Sequence, residues 1–415
     1  MRVKRRHIIY VQGYDPRGLA QYYRMFRSEL RKFAALYGFA CKVGRPAADD
    51  ARAASWTIDT EGPDWQTRTR YDFLRWEDLI KADLEWPIWR TVTQALVIYV
   101  RLIFNGVLTR FRKAHWRFAA FISYPEFVLT VEALLSLGVA WLFAAGLRYA
   151  GLPLLITLPA AAALFIAVLG TLLKFLESRT YTLYLMSDTI FTWQYAHRRR
   201  PDWDRRIEQF AQDLVATVRG SDADEIVVVG HSSGSFLGLE ILMRALELDP
   251  DLGRRGPRLM LLTIGGNLPI VGFLPVSDRF RARLKRLAME PSIHWVDCQS
   301  RKDVMNFYPF DPIAGHGLDV GAARRNPKII TVRFRDIITP ENYNAFRRHF
   351  FRVHFQFVMA NEQPNPYDFF MMVCGPLTLC DRFAHPAAAL AIASDDGAAR
   401  DRAWSELEEP PAGVA

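Results

Sequence analysis

The chain has 415 residues, of which 50% are hydrophobic, 23% charged and 13% aromatic. That composition excludes a disordered chain, a collagen-like repeat and a small disulfide scaffold. The formal charge is +9, but the cations are spread along the chain with no Lys/Arg tract and no nucleic-acid motif, so nucleic acid is not an expected partner.

Mean hydropathy is near zero, which describes an average and not a distribution. The N-terminus is basic (Arg2, Lys4, Arg5, Arg6), yet only a five-residue apolar run follows it, too short for a signal peptide. Residues 7–11 read as a buried strand, 12–18 as a loop, and 19–37 as a helix; 54–58 is a weaker strand. Residues 1–89 are thus expected to form the N-terminal part of an α/β domain.

The next segment, 90–175, reads as a membrane insertion. Residues 127–147 and 152–173 are two apolar stretches of the length needed to cross a hydrocarbon core, and the second carries no charge at all. The short turn between them, with Arg148 and Pro153, makes a transmembrane hairpin. Arg110, Arg112, Lys113 and Arg117 precede the hairpin and Lys174 and Arg179 follow it, so both its ends are expected on the cytoplasmic side. Residues 90–113 predict an amphipathic helix whose polar residues Arg90, Gln94, Arg101, Asn105 and Arg112 lie within about 60° of one another. Such a helix lies on the membrane, with guanidinium groups near lipid phosphates, or spans it.

Residues 176–384 supply the rest of the α/β domain. A helix is expected over 202–218 and strands over 225–229, 259–264, 292–296 and 328–334. Continuous apolar strands separated by helices indicate a mostly parallel sheet with helices on both faces. The tail, 385–415, is rich in Ala, Asp, Glu and Pro and reads as disordered. Cys41, Cys298, Cys374 and Cys380 are scattered, with no C-x-x-C, so neither a disulfide framework nor a metal site is expected.

The chemistry centres on Gly230-His231-Ser232-Ser233-Gly234, a G-x-S-x-G between a strand and a helix. Glycine at both ends lets the chain turn sharply and lifts the Ser232 hydroxyl out of the sheet edge. Gly234 and Gly238, one turn apart, let the following helix pack close to the sheet. No P-loop and no G-x-G-x-x-G is present, which disfavours a phosphate-cradling turn.

With this motif, residues 7–40 and 200–360 resemble the α/β-hydrolase superfamily in its lipase and esterase branch. The resemblance implies a serine nucleophile, an acid and a histidine in that chain order. Ser232 matches the nucleophile. Asp303, in the loop after the strand ending near Asp297, matches the acid, with Asp297 and then Asp311 as alternatives. The base follows the last strand: His354, in Arg-Val-His-Phe-Gln-Phe, resembles the histidine of membrane lipases, with His349 as its rival. His316 precedes that strand, and His385 lies in the tail. If 339–357 is one helix, His349 and His354 point about 140° apart and cannot both face Ser232.

The oxyanion hole implied by the resemblance uses the backbone N–H of Ser233 and one from the loop after the first strand, at Gly13 or Tyr14. Gln12 stands where many relatives have His. Asp15 and Arg17 could pair to orient this loop. Residues 267–275, apolar and broken by Pro and Gly, suit a mobile wall for an acyl chain. The expected function is a membrane-anchored serine hydrolase that cleaves carboxylic esters of lipids or other apolar acyl compounds, with no cofactor. Acyl transfer or thioester cleavage by the same triad, or a non-catalytic membrane module on a hydrolase fold, are the alternatives.

Overall fold

The computed structural model describes residues 2–48 and 52–385. The expected disorder of the tail beyond His385 falls outside the described residues. Contacts divide the chain into two compact units. One is built from the chain up to Ile80 and from Arg200 onward, and the other is Lys81–Arg199.

The first unit is built on one sheet. Strand β1 (Arg5–Val11) is followed by helix α1 (Leu19–Tyr37), whose Tyr22, Phe26, Leu30 and Phe33 recur at helical spacing and are buried. Gly38, with φ 70°, ends that helix in the left-handed region, where glycine carries no Cβ penalty. Next come β2 (Ala40–Val43), β3 (Ala53–Gly62) and β4 (Trp65–Leu74), and then α2 (Glu77–Leu84), in which the chain passes into the second unit.

The second unit holds α3 (Ile88–Phe104), α4 (Val107–Ala114), α5 (Trp116–Tyr149), α6 (Leu154–Thr180) and α7 (Thr182–Ala196). α5 and α6 are long and apolar enough to cross a membrane. Their outer surfaces are lipid-like: Leu155 is 88% exposed and Ile166 68%. α5 is 34 residues long, about 51 Å at 1.5 Å per residue, so it exceeds a hydrocarbon core of about 30 Å. Its N-terminal half packs inside the unit, with Phe118 and Ile122 buried and the Phe111 and Phe118 rings 5.4 Å apart.

The expected single helix over 90–113 is instead two. It breaks at Asn105–Gly106 with a bend of 73°, because Gly106 adopts φ 68°, a left-handed conformation that cannot continue the helix. Arg112 therefore does not extend the polar stripe of α3. The expected insertion 90–175 lies within the larger Lys81–Arg199 unit, which also contains α7.

The chain re-enters the first unit through α8 (Pro201–Gly220) and continues with β5 (Glu225–His231), α9 (Gly234–Leu248), β6 (Arg258–Ile264), α10 (Leu268–Gly272), α11 (Asp278–Met289), β7 (Ile293–Gln299) and β8 (Lys328–Thr331). It closes with α12 (Pro340–Phe346), α13 (Phe350–Phe355), α14 (Phe369–Cys374) and α15 (Leu379–Ala384). Two expectations change here. The strand over 328–334 stops at Thr331, and 339–357 is not one helix. α12 ends at Phe346, and His349, extended at φ −106°, caps the start of α13.

The sheet has eight strands in the order β2-β3-β4-β1-β5-β6-β7-β8. From β4 through β8 neighbouring strands are parallel, while β2–β3 and β3–β4 are antiparallel. The mostly parallel α/β reading therefore holds, with an antiparallel edge. Side-chain alternation divides the core: Ile8, Tyr10, Val227 and Val229 pack with α1 and α14, whereas Val11 and Val228 face Gly238 of α9.

Buried Arg6 ties the chain's late segment to the sheet. It pairs with Glu225 at 2.9 Å and donates to the Gly375 carbonyl at 2.6 Å.

Candidate active site

β1 and β5 are neighbours, and the strand order runs outward from them in opposite directions. The loops leaving their carboxyl ends therefore diverge and open a crevice, the place where open α/β sheets bind ligands. Gln12–Gly18 leaves one strand and Ser232-Ser233 the other.

Ser232 has φ 58°, an unusual value for a non-glycine residue and the strain expected at a nucleophile elbow. Its N–H donates to the Ile264 carbonyl at 3.2 Å, and its carbonyl accepts from Ser235 N at 2.9 Å. The elbow is sterically closed on both sides. A Cβ at Gly230 would collide with the Gly234 backbone, and one at Gly234 with the Val11 carbonyl. Gly238 is different: a Cβ there would meet Val228 Cγ1 at 3.5 Å and Val11 Cγ2 at 3.7 Å, ordinary contacts. Close approach thus demands glycine at 230 and 234, but not at 238.

Gly13 sits directly against the serine. A Cβ at this position would lie 2.9 Å from Ser232 Cβ and 3.3 Å from its Oγ. Tyr14 is buried beside it. The loop is braced by Asp15, which accepts from Arg17 N (2.9 Å), Arg17 Nη2 (2.6 Å) and the Tyr22 hydroxyl (2.8 Å). Arg17 in turn lies over the Phe355 ring at 4.3 Å, next to His354.

The pair of Asp303 and His354 is buried and bonded. His354 Nδ1 lies 2.7 Å from Asp303 Oδ2, with side-chain exposures of 2% and 0%. Asp303 Oδ1 accepts from Met305 N at 2.9 Å. The loop is held by Asn306, which donates to the Ser300 carbonyl (2.8 Å) and the Asp303 carbonyl (2.7 Å) and accepts from Ser300 N (3.0 Å). No motif marks Asn306 in the sequence; its one signal is an Asn three residues after Asp303 in a loop.

With Asp303 accepting at Nδ1, the lone pair of His354 is at Nε2. That atom is buried and has no hydrogen-bond partner among the described residues, so the serine-to-histidine bond of a closed triad is not formed. His354 is nonetheless held close to the elbow. His231, the residue before Ser232, stacks on it and places Nε2 3.3 Å from the His354 carbonyl. A Cβ at Gly265, next to the Ile264 carbonyl that receives Ser232 N–H, would lie 3.4 Å from His354 Cε1. Burial, then the neighbouring His354, hold His231 well below the usual imidazole pKa, so it is neutral.

The rival residues are engaged elsewhere. Asp297 accepts from Thr263 Oγ1 at 2.5 Å and Gln299 Nε2 at 2.7 Å, and burial pushes its pKa up to about 6. Asp311 pairs with Arg324 at 2.7 Å and caps the Ile313 and Ala314 amides. His349 is exposed ahead of α13, and His316 Nδ1 is bound to the Pro312 carbonyl at 2.6 Å. The expected mobile wall at 267–275 contains α10, a buried helical turn. Asn267 before it donates to Ser233 Oγ at 3.3 Å, bracing the elbow from the β6 side. No group of three or more metal-ligating side chains occurs among the described residues.

No protein-family model, curated protein or solved structure matches the chain. The geometry above therefore carries the functional reading by itself.

Proposed function

We propose that the chain is a membrane-anchored serine hydrolase of α/β-hydrolase type, cleaving carboxylic esters of lipids or apolar acyl compounds through an acyl-enzyme. The observation that carries this is the strained Ser232 elbow at the β1/β5 crevice, with the buried Asp303–His354 pair packed against the residue that precedes it. The chain order Ser232, Asp303, His354 is the order of that superfamily.

In this mechanism Ser232 Oγ attacks the ester carbonyl as His354 Nε2 takes its proton. Asp303 fixes the tautomer and stabilises the imidazolium. The N–H groups of Ser233 and of Gly13 or Tyr14 receive the negative charge that develops on the carbonyl oxygen. His354 then gives its proton to the leaving alcohol, and water repeats the sequence on the acyl-enzyme to release the acid and free Ser232.

Anchoring by α5 and α6 supports an apolar substrate class, because an enzyme held at a membrane meets lipids there. The cations flanking the hairpin, Arg110, Arg112, Lys113, Arg117, Lys174 and Arg179, support a cytoplasmic hydrolase unit. The unbonded His354 Nε2 favours a second reading, a non-catalytic membrane module on the same architecture, although catalytic bonds are often long before substrate binds.

A fluorophosphonate probe applied to membranes separates the two. Labelling of the wild type and loss of labelling in Ser232→Ala are expected. Equal labelling of both, or of neither while the protein is folded, removes the hydrolase reading.

A further inference from the structure

α3 has two apolar faces. Thr91, Ala95, Ile98 and Leu102 are buried within the second unit. On the other side Trp89, Leu96, Val97, Val100, Ile103 and Phe104 are exposed, Trp89 at 70% and Phe104 at 83%. At about 100° per residue the exposed set covers one face roughly 120° wide, opposite the buried set. The polar stripe between them runs along the border with α7: Gln94 pairs with Gln194 at 3.2 Å, and Arg101, though exposed, lies 5.2 Å from the Trp193 ring. The face opposite the buried set is therefore mostly hydrocarbon, interrupted by Thr93 and bordered by the exposed Arg101.

Water is a poor partner for such a face, and its chemistry continues that of the outer surfaces of α5 and α6 in the same unit. α3 packs on α7, and α7 packs on both α5 and α6. Beyond the 73° bend the character changes. α4 buries Val107 and Phe111 and exposes Arg112 and Lys113, cations suited to anionic headgroups.

By length and composition α3 with α4 could be a third, broken span. Chain topology rules this out. The segment Lys81–Arg199 leaves the first unit after β4 and returns before β5, and both strands pair with β1 in one sheet. A sheet lies on one side of a bilayer, so the segment crosses an even number of times. α5 and α6 supply two crossings. α7 cannot supply a compensating one: it has 15 residues, about 22 Å, and most of its side chains are covered by protein.

We propose that α3 and α4 form a lipid-embedded element that enters and leaves the leaflet on the side of the α/β unit, with α3 against acyl chains and α4 at the anionic headgroups. This rests on α5 and α6 as spans, and is independent of the chemistry at Ser232.

The test uses the full chain in sealed membrane vesicles, with Val100→Cys, Lys113→Cys, Gly151→Cys, Ile166→Cys and Arg219→Cys introduced one at a time, labelled with an environment-sensitive fluorophore and read against the unsubstituted chain, whose Cys380 is half-buried. Spin-labelled phospholipid should quench Val100→Cys as it quenches Ile166→Cys in α6. An impermeant thiol reagent should reach Lys113→Cys from the same side as Arg219→Cys in α8, and Gly151→Cys from the other. If Gly151→Cys reacts from the side of Arg219→Cys, the hairpin fails and the proposal with it. If the hairpin stands but Val100→Cys is quenched only by an aqueous quencher, is shielded from both quenchers by a protein partner, or Lys113→Cys sides with Gly151→Cys, the embedded element alone is overturned.

Discussion

His231 and His354 stack with ring centroids 4.7 Å apart and planes inclined by 29°. Asp303 holds the edge of the His354 ring, and His231 covers its face and reaches its carbonyl. The residue next to Ser232 thus positions His354, and because it is neutral it adds no charge to oppose the imidazolium that the proposed mechanism forms there. His231→Ala removes the stack, worth about 0.5–1.5 kcal/mol for ring pairs, and is expected to slow fluorophosphonate labelling of Ser232 roughly tenfold with the protein still folded. An unchanged labelling rate would assign the stack to packing alone.

The two carboxylates near the end of β7 should respond unequally to the same change. Asp303→Asn disturbs the tautomer of His354 and should lower the labelling rate by about 10³–10⁴. Asp297→Asn, in a residue bonded to Thr263 and Gln299, should leave that rate within a few fold. Equal losses would mean that the acid has been assigned to the wrong residue.

Glycines 13 and 238 offer a steric contrast. Gly13→Ala drives a methyl group into Ser232 Cβ, and displacing the hydroxyl by about 1 Å is enough to cost roughly 100-fold in rate. Gly238→Ala meets only ordinary contacts and gains up to about 1 kcal/mol of helix propensity. Thermal unfolding in detergent together with labelling rates checks both. A tolerated Gly13→Ala would mean that the crevice is looser than its distances indicate.

Asp297 should make stability depend on pH. Its folded pKa of about 6 lies above its ordinary value of 3.8, so the folded state holds its proton more tightly than the unfolded state does. Its favourable contribution is complete below about pH 4 and lost as pH rises through 6, a fall of about 3 kcal/mol at most. Chemical-denaturation midpoints in detergent between pH 4 and 7 should show this slope in the wild type. Asp297→Asn, which keeps an acceptor for Thr263, should flatten it, and an identical slope in both proteins would refute the assignment.

The parts legible in the sequence were those with a strong repeat or a rigid motif. The apolar runs mark β1, β5, β6 and β7 as continuous buried strands, and the two long apolar stretches mark α5 and α6. The glycines around Ser232 gave the turn. The antiparallel edge was missed although its signal was present: Trp65, Thr67, Thr69, Tyr71 and Phe73 alternate with Gln66, Arg68, Arg70 and Asp72, a half-buried strand whose polar face carries two arginines and an aspartate. The break between α12 and α13 had no comparable signal, since nothing in Arg347-Arg348-His349 forbids a helix. Only tertiary packing decides it, and that break separates His349 from His354. The outward face of α3 is obscured in the sequence by the polar residues Gln94 and Arg101, whose partners Gln194 and Trp193 lie about a hundred residues away.

The sheet order also has a consequence for how the protein is made. β1 and its Gly13 loop leave the ribosome before the second unit, and β5 with Ser232 leaves after it. The two halves of the crevice therefore meet only when both apolar helices are already available to a bilayer. The pairing of β1 with β5 must therefore wait until the whole of Lys81–Arg199 has been made.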